Sequence, residues 1–212
     1  MLFHGDANLQ EQTAERGTAQ YRAELRSAVR GLWSGALDYL DAWETFDIAI
    51  HRSFTQAYHD GAKEVGVLPT ELTPQERIAL RQAIQQETQY IDGFLTTIES
   101  RSKANGGKLG PLFNRVEQWV QRYQQMYTDG QMAAKNDPKM LWVRTAAESC
   151  PSCLAVEGKV KRMSTWKDSG YYPQSPRLQC MSGAKGVTVC KCHLEPTDQP
   201  MTRGPLPMSA LA

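Results

Sequence analysis

Cysteine is missing from the first 149 residues of this 212-residue chain, and all five cysteines then fall between Cys150 and Cys192. The larger part has no thiolate knot or disulfide to hold it and must fold by burying apolar side chains. No apolar run approaches the roughly 20 residues needed to cross a bilayer, so no membrane contact is expected. The start, Met1-Leu2-Phe3-His4-Gly5-Asp6, lacks the charged and apolar regions of a secretory signal, which points to a chain made in a cytoplasm. The net charge is only +1, so no global field gathers polyanions or repels them.

Catalytic motifs are missing as well. There is no Glu-x-x-His, which excludes the carboxylate-bridged di-metal bundle, and no Walker loop, Gly-x-Ser-x-Gly elbow or His-Glu-x-x-His. Glu44, Asp47 and His51 stand at helical spacing, with His59 two turns on, and read as a solvated polar face. No enzyme and no small-molecule substrate are expected.

What is present before residue 138 is helical period. Leu25, Val29, Leu32, Trp33, Ala36, Leu37 and Leu40 form one stripe, and Trp43, Phe46, Ile50, Phe54, Ala57 and Tyr58 a second. Pro69 interrupts the pattern. Thr73-Pro74-Gln75-Glu76 is a capping box with proline in the first turn, and it opens a third helix with Leu80, Ile84, Ile91, Phe94, Leu95 and Ile98 on one face. Asn105-Gly106-Gly107 ends that helix. A fourth carries Leu112, Phe113, Val116, Trp119, Val120, Tyr123, Met126 and Tyr127, and Asn136-Asp137-Pro138 breaks it. The fold class expected is mainly α: an elongated helical bundle or hairpin array over 1–138, followed by a small Cys-rich module.

That module, 139–195, has a different texture. Val156-Glu157-Gly158-Lys159-Val160 reads as a turn between strand-like residues, and Val187-Thr188-Val189 runs into Cys190-Lys191-Cys192-His193-Leu194. A β-hairpin or zinc-knuckle-like unit of this size buries too little surface to stand alone, so a metal or docking on the helices must contribute. Structural zinc takes four ligands, and Cys150, Cys153, Cys180, Cys190 and Cys192 offer five. The CxxC pair converges most readily, strand alternation puts Cys190 and Cys192 on one face, and His193 ranks last. Two disulfides with a spare thiol, or Cys180 as a small buried hydrophobe, are the other readings. Cys150-Pro151-Ser152-Cys153 has no βαβ context of a redox motif, and only His193 is near enough in sequence to serve as a base.

Between Cys150 and His193 seven Lys or Arg face only Glu157 and Asp168, a local charge of +5. Lys159, Lys161 and Arg162 are the densest part. Such a patch suits a nucleic-acid contact, an acidic protein face or plain solvation. The segment 196–212 is Pro-rich and is expected to stay loose.

The order Cys150-Pro-Ser-Cys153, Gly158, Trp166, Gly170-Tyr-Tyr-Pro173-Gln-Ser-Pro176, Cys180 and Cys190-Lys191-Cys192 resembles the C-terminal motif of phage Mu F-like minor head proteins, also called phage head morphogenesis proteins. The likeness covers about the last quarter of the chain. It departs from the commoner closing pattern, His-Pro-x-Cys-Arg-Cys, by the insert Met181–Val189 and by Lys191 in place of Arg. The resemblance implies a virion structural protein in few copies at the portal vertex inside the capsid, assisting head assembly or genome packaging and delivery. Its implied partners are the portal or other capsid and neck proteins, with packaged DNA as a further contact. The alternative is a nucleic-acid-binding zinc module on a helical oligomerisation arm, using Lys159, Lys161 and Arg162.

Overall fold

The computed structural model describes residues 6–133, 136–144, 149–175, 177–179 and 192–207, of which 6–15 are described as backbone alone. The protein is mainly helical, with one small antiparallel sheet. It divides into two compact units, Met1–Asp60 with Leu72–Met126, and Gly61–Glu71 with Tyr127–Ala212. This division cuts across the helical span 1–138 read from the sequence, because the second unit takes 61–71 and 127–133 from that span as well as the Cys-rich residues.

The first unit is built from α1 (Asp6–Ser34), α2 (Tyr39–Glu64), α3 (Pro74–Thr88), α4 (Ile91–Ser100) and α5 (Leu109–Gln131), with the last turns of α2 and α5 belonging to the second unit. Tyr21, Leu25, Val29 and Leu32 recur at three and four along α1 and are all buried, as the apolar period requires. The expected continuation of that stripe through Ala36, Leu37 and Leu40 does not form. Gly35 takes a left-handed φ of 79°, the Ala36 N–H donates to Gly31 O at 2.8 Å, and the chain turns into α2 with Leu40 left 75% exposed. Phe46 meets Phe94 and Trp119 edge-on, at 5.8 and 5.5 Å between centroids, so α2, α4 and α5 share one aromatic core.

The capping box forms as read. Glu76 N–H donates to Thr73 Oγ1, and the Glu76 carboxylate accepts from Thr73 N–H at 2.6 Å. Thr73→Ala is expected to lower stability by about 1 kcal/mol in denaturant unfolding, since one N–H of the first turn then loses its acceptor. The single helix expected from Thr73 onward is two. The Thr88 hydroxyl donates to Gln85 O, competing with the main-chain ladder, and α4 begins afresh at Ile91.

The second unit holds a three-stranded sheet of order β2-β1-β3, from β1 (Lys139–Val143), β2 (Val160–Arg162) and β3 (His193–Pro196), with both pairings antiparallel. Alternation along β1 buries Met140 and Trp142 on one face. Two short helices join the strands, α6 (Pro151–Val156) and α7 (Met163–Ser169), the latter stopped by Gly170 at a φ of 69°. The expected turn between strands at Val156–Val160 is instead the end of α6, a left-handed Gly158 (φ 71°) and the start of β2. Trp166 of α7 is fully buried, its ring 5.3 Å from Trp142 and its Nε1–H donating to Met140 O. These two rings are the centre of the small core.

Candidate functional site

The CxxC is a helix start. Cys150 is extended (φ −67°, ψ 157°) at the N-cap of α6, Pro151 follows in the first turn, and Cys153 N–H donates to Cys150 Sγ at 3.5 Å. The sulfur thus stands where a Ser or Asp oxygen usually caps a helix. Both sulfur-bearing residues are buried, as is Cys192 immediately before β3. Cys180, Cys190 and the strand-like Val187–Val189 lie outside the described residues. Among the described residues no three His, Cys, Asp or Glu side chains are grouped to hold a cation. The described donors therefore do not by themselves make up a closed zinc site.

The three cations singled out from the sequence fare differently. Arg162 is exposed and donates to Asp137 O at 2.9 Å, while Lys159 is half-buried. Lys161 is not a surface cation: it is 8% exposed, and its Nζ donates to the carbonyls of Thr202, at 2.7 Å, and Gly204. Lys139 does the same one strand over, donating to Asp198 O and Gln199 O.

The described part of the Pro-rich segment expected to be loose, residues 196–207, is thereby laid against the sheet. Thr197 N–H donates to Lys139 O, Thr202 N–H donates to Val160 O, the Val160 N–H donates to Thr202 Oγ1, and Leu206 is buried. The reason is that lysine ammonium groups and strand edges hold main-chain carbonyls and N–H groups, which needs no apolar pattern in the segment held. Lys161→Met is expected to expose 200–207 to limited proteolysis at a protease dose that leaves the wild-type segment intact, while far-UV circular dichroism is unchanged.

A partly buried polar cluster lies in the same unit and was not legible in the sequence. Glu64 Oε2 accepts from the Tyr127 hydroxyl at 2.8 Å and from Gln131 Nε2 at 2.5 Å, and the second hydrogen of that amide goes to Leu194 O of β3 at 2.8 Å. His193 Nε2 and Glu195 Oε1 are 2.7 Å apart on the same strand. Gln131 is fully buried, and its Oε1 has no hydrogen-bond partner among the described residues. Burial pushes the Glu64 carboxyl above its ordinary value; the Tyr127 and Gln131 hydrogen bonds and the nearby His193 pull the other way, and Glu195 adds to the rise.

Gly61, one turn before Glu64, makes the cluster possible. A Cβ there would stand 1.9 Å from Tyr127 O, so only glycine lets α2 and α5 approach this closely. A glycine inside an otherwise helical run was the one available sign of a close crossing. The Asp47 and His51 pair, by contrast, is the solvated face expected, 3.6 Å apart with His51 57% exposed.

No known family model, curated protein or solved structure matches this chain.

Proposed function

We propose that this chain is a non-enzymatic phage minor head protein that works through protein contacts at the portal vertex, inside the capsid, during head assembly or genome packaging and delivery. The observation that carries this reading is where the ordered motif falls in the fold. Cys150 and Cys153 cap and line α6, Gly158 turns the chain into β2, Trp166 fills the core against Trp142, and Cys192 leads into β3. Residues that together build one small fold are the kind that mark a family, and the resemblance rests on those residues. The helical unit supplies the long polar-flanked surfaces by which such a protein can join other helical subunits.

Zinc belongs to the same proposal, held by Cys150 and Cys153 with two of Cys180, Cys190 and Cys192, where it would stabilise the small unit without taking part in any reaction. Metal analysis of the reduced protein should then give stoichiometric zinc, and chelation should lower the unfolding temperature. Metal-free protein that is indifferent to chelator would remove zinc from the reading. The DNA-binding alternative is left with Lys159 and Arg162 as its cations, since Lys161 holds the C-terminal segment.

The function is tested by mixing the purified chain with assembled portal rings and following co-elution by size-exclusion chromatography. A stable complex is expected that survives high salt better than a DNA contact does, because protein contacts release fewer counterions. Elution of the two components apart at all concentrations would reject the portal contact.

A further inference from the structure

We propose that Glu64, Tyr127 and Gln131 form a proton-responsive latch that holds strand β3 to the ends of α2 and α5 more tightly as the surroundings become more acidic. The latch is a chain of contacts across three elements. Glu64 ends α2, Tyr127 and Gln131 stand one turn apart on α5, and the Leu194 carbonyl belongs to β3. The Gln131 amide is the hinge pin: its two hydrogens point to two different elements, and the side chain is fully buried.

The charges that face Glu64 come from each side of this junction. From its own helix there is the neighbouring Lys63, which is exposed. From α5 come the neutral Tyr127 and Gln131, and from β3 come His193 and Glu195, which pair with each other. No described cation makes an ion pair with the Glu64 carboxylate, so its charge is offset mainly by two neutral donors. Neutral donors stabilise a carboxylate less than an ion pair does, while the burial cost acts on the charged form alone.

A protonated carboxyl avoids that cost. It still presents a carbonyl oxygen to Tyr127 and Gln131, so the latch persists with its charge penalty removed. Because burial raises the folded-state value above that of the unfolded chain, the folded form binds the proton more tightly. The added stability is present below the unfolded value and is lost as pH rises through the folded one. This runs against the usual loss of stability when ion-paired carboxylates are protonated, which gives it a recognisable signature. Since β3 follows Cys192 directly, the latch also sets how firmly the end of the Cys-rich segment is held.

Hydrogen exchange of the β3 amides in the full chain, with protection factors compared at about pH 5 and about pH 7.5, reads the latch locally. Wild type is expected to show protection about threefold or more higher at the acidic pH. Glu64→Gln, a permanently neutral isostere, should show high protection at both pH values, with the dependence gone. His193→Gln should keep the dependence, because Glu64 is the group that titrates. Flat or falling wild-type protection on acidification, an unchanged dependence in Glu64→Gln, or its loss in His193→Gln would each overturn the proposal.

Discussion

Gly61→Ala is expected to destabilise the protein by about 3 kcal/mol, at the upper end of what overpacking costs, and to do so by unfolding the sheet-bearing unit. The added Cβ would stand 1.9 Å from Tyr127 O, 2.8 Å from Tyr127 C and 3.1 Å from Gln131 N. These are main-chain atoms of α5 that cannot rotate aside as a side-chain tip can. The helices must separate, and separation breaks the Glu64 bonds to Tyr127 and Gln131. Alanine is the better helix former by about 1 kcal/mol, which is too little to offset the clash. Gly93→Ala is the control. Gly93 lies inside α4 with nothing within 4 Å of its missing Cβ, so the same substitution there should stabilise by up to about 1 kcal/mol. Urea unfolding of both variants, with opposite shifts in midpoint, checks the pair.

Trp166→Ala should be costlier still, about 3–5 kcal/mol. The side chain is fully buried, its ring lies 5.3 Å from that of Trp142, and its indole N–H donates to Met140 O at 3.3 Å. Truncation leaves a cavity between α7 and β1 and removes the indole N–H from the Met140 carbonyl of the central strand. The described residues of this unit form three short strands, two helices of six and seven residues and the last turns of α2 and α5, so there is little to collapse into the space. Trp166→Phe keeps a ring but loses the N–H, and should fall between the two in denaturant midpoint. If Trp166→Ala unfolded at the wild-type midpoint, the two tryptophans would not be the centre of this core.

The sequence carried the helices well wherever one apolar face runs for several turns. The stripe Leu112, Val116, Trp119, Val120, Tyr123 is α5 as built, and Thr73-Pro74-Gln75-Glu76 opens α3 with both capping bonds in place. It failed at points that local periodicity does not encode. α6 and α7 are shorter than two turns, so the helical period never repeats enough to be seen beside strand-like valines. Lys161 reads as a surface cation because its partners, the Thr202 and Gly204 carbonyls, are main-chain atoms about forty residues away that any residue type would supply. The polar cluster was hidden for the same reason: Glu64, Gln131 and Leu194 meet only after α2, α5 and β3 have packed. Of the five candidate metal ligands, the structure describes Cys150, Cys153 and Cys192, places all three in the interior of one unit and joins the first two by a capping bond.

The portal-bound reading is tested most directly by quantitative mass spectrometry of purified, nuclease-treated particles made from the genome that encodes this chain. The account predicts the chain in such particles at a few copies against many of the major capsid subunit, co-sedimenting with the portal after gentle disruption. Particles that contain portal and major capsid protein but none of this chain would contradict it.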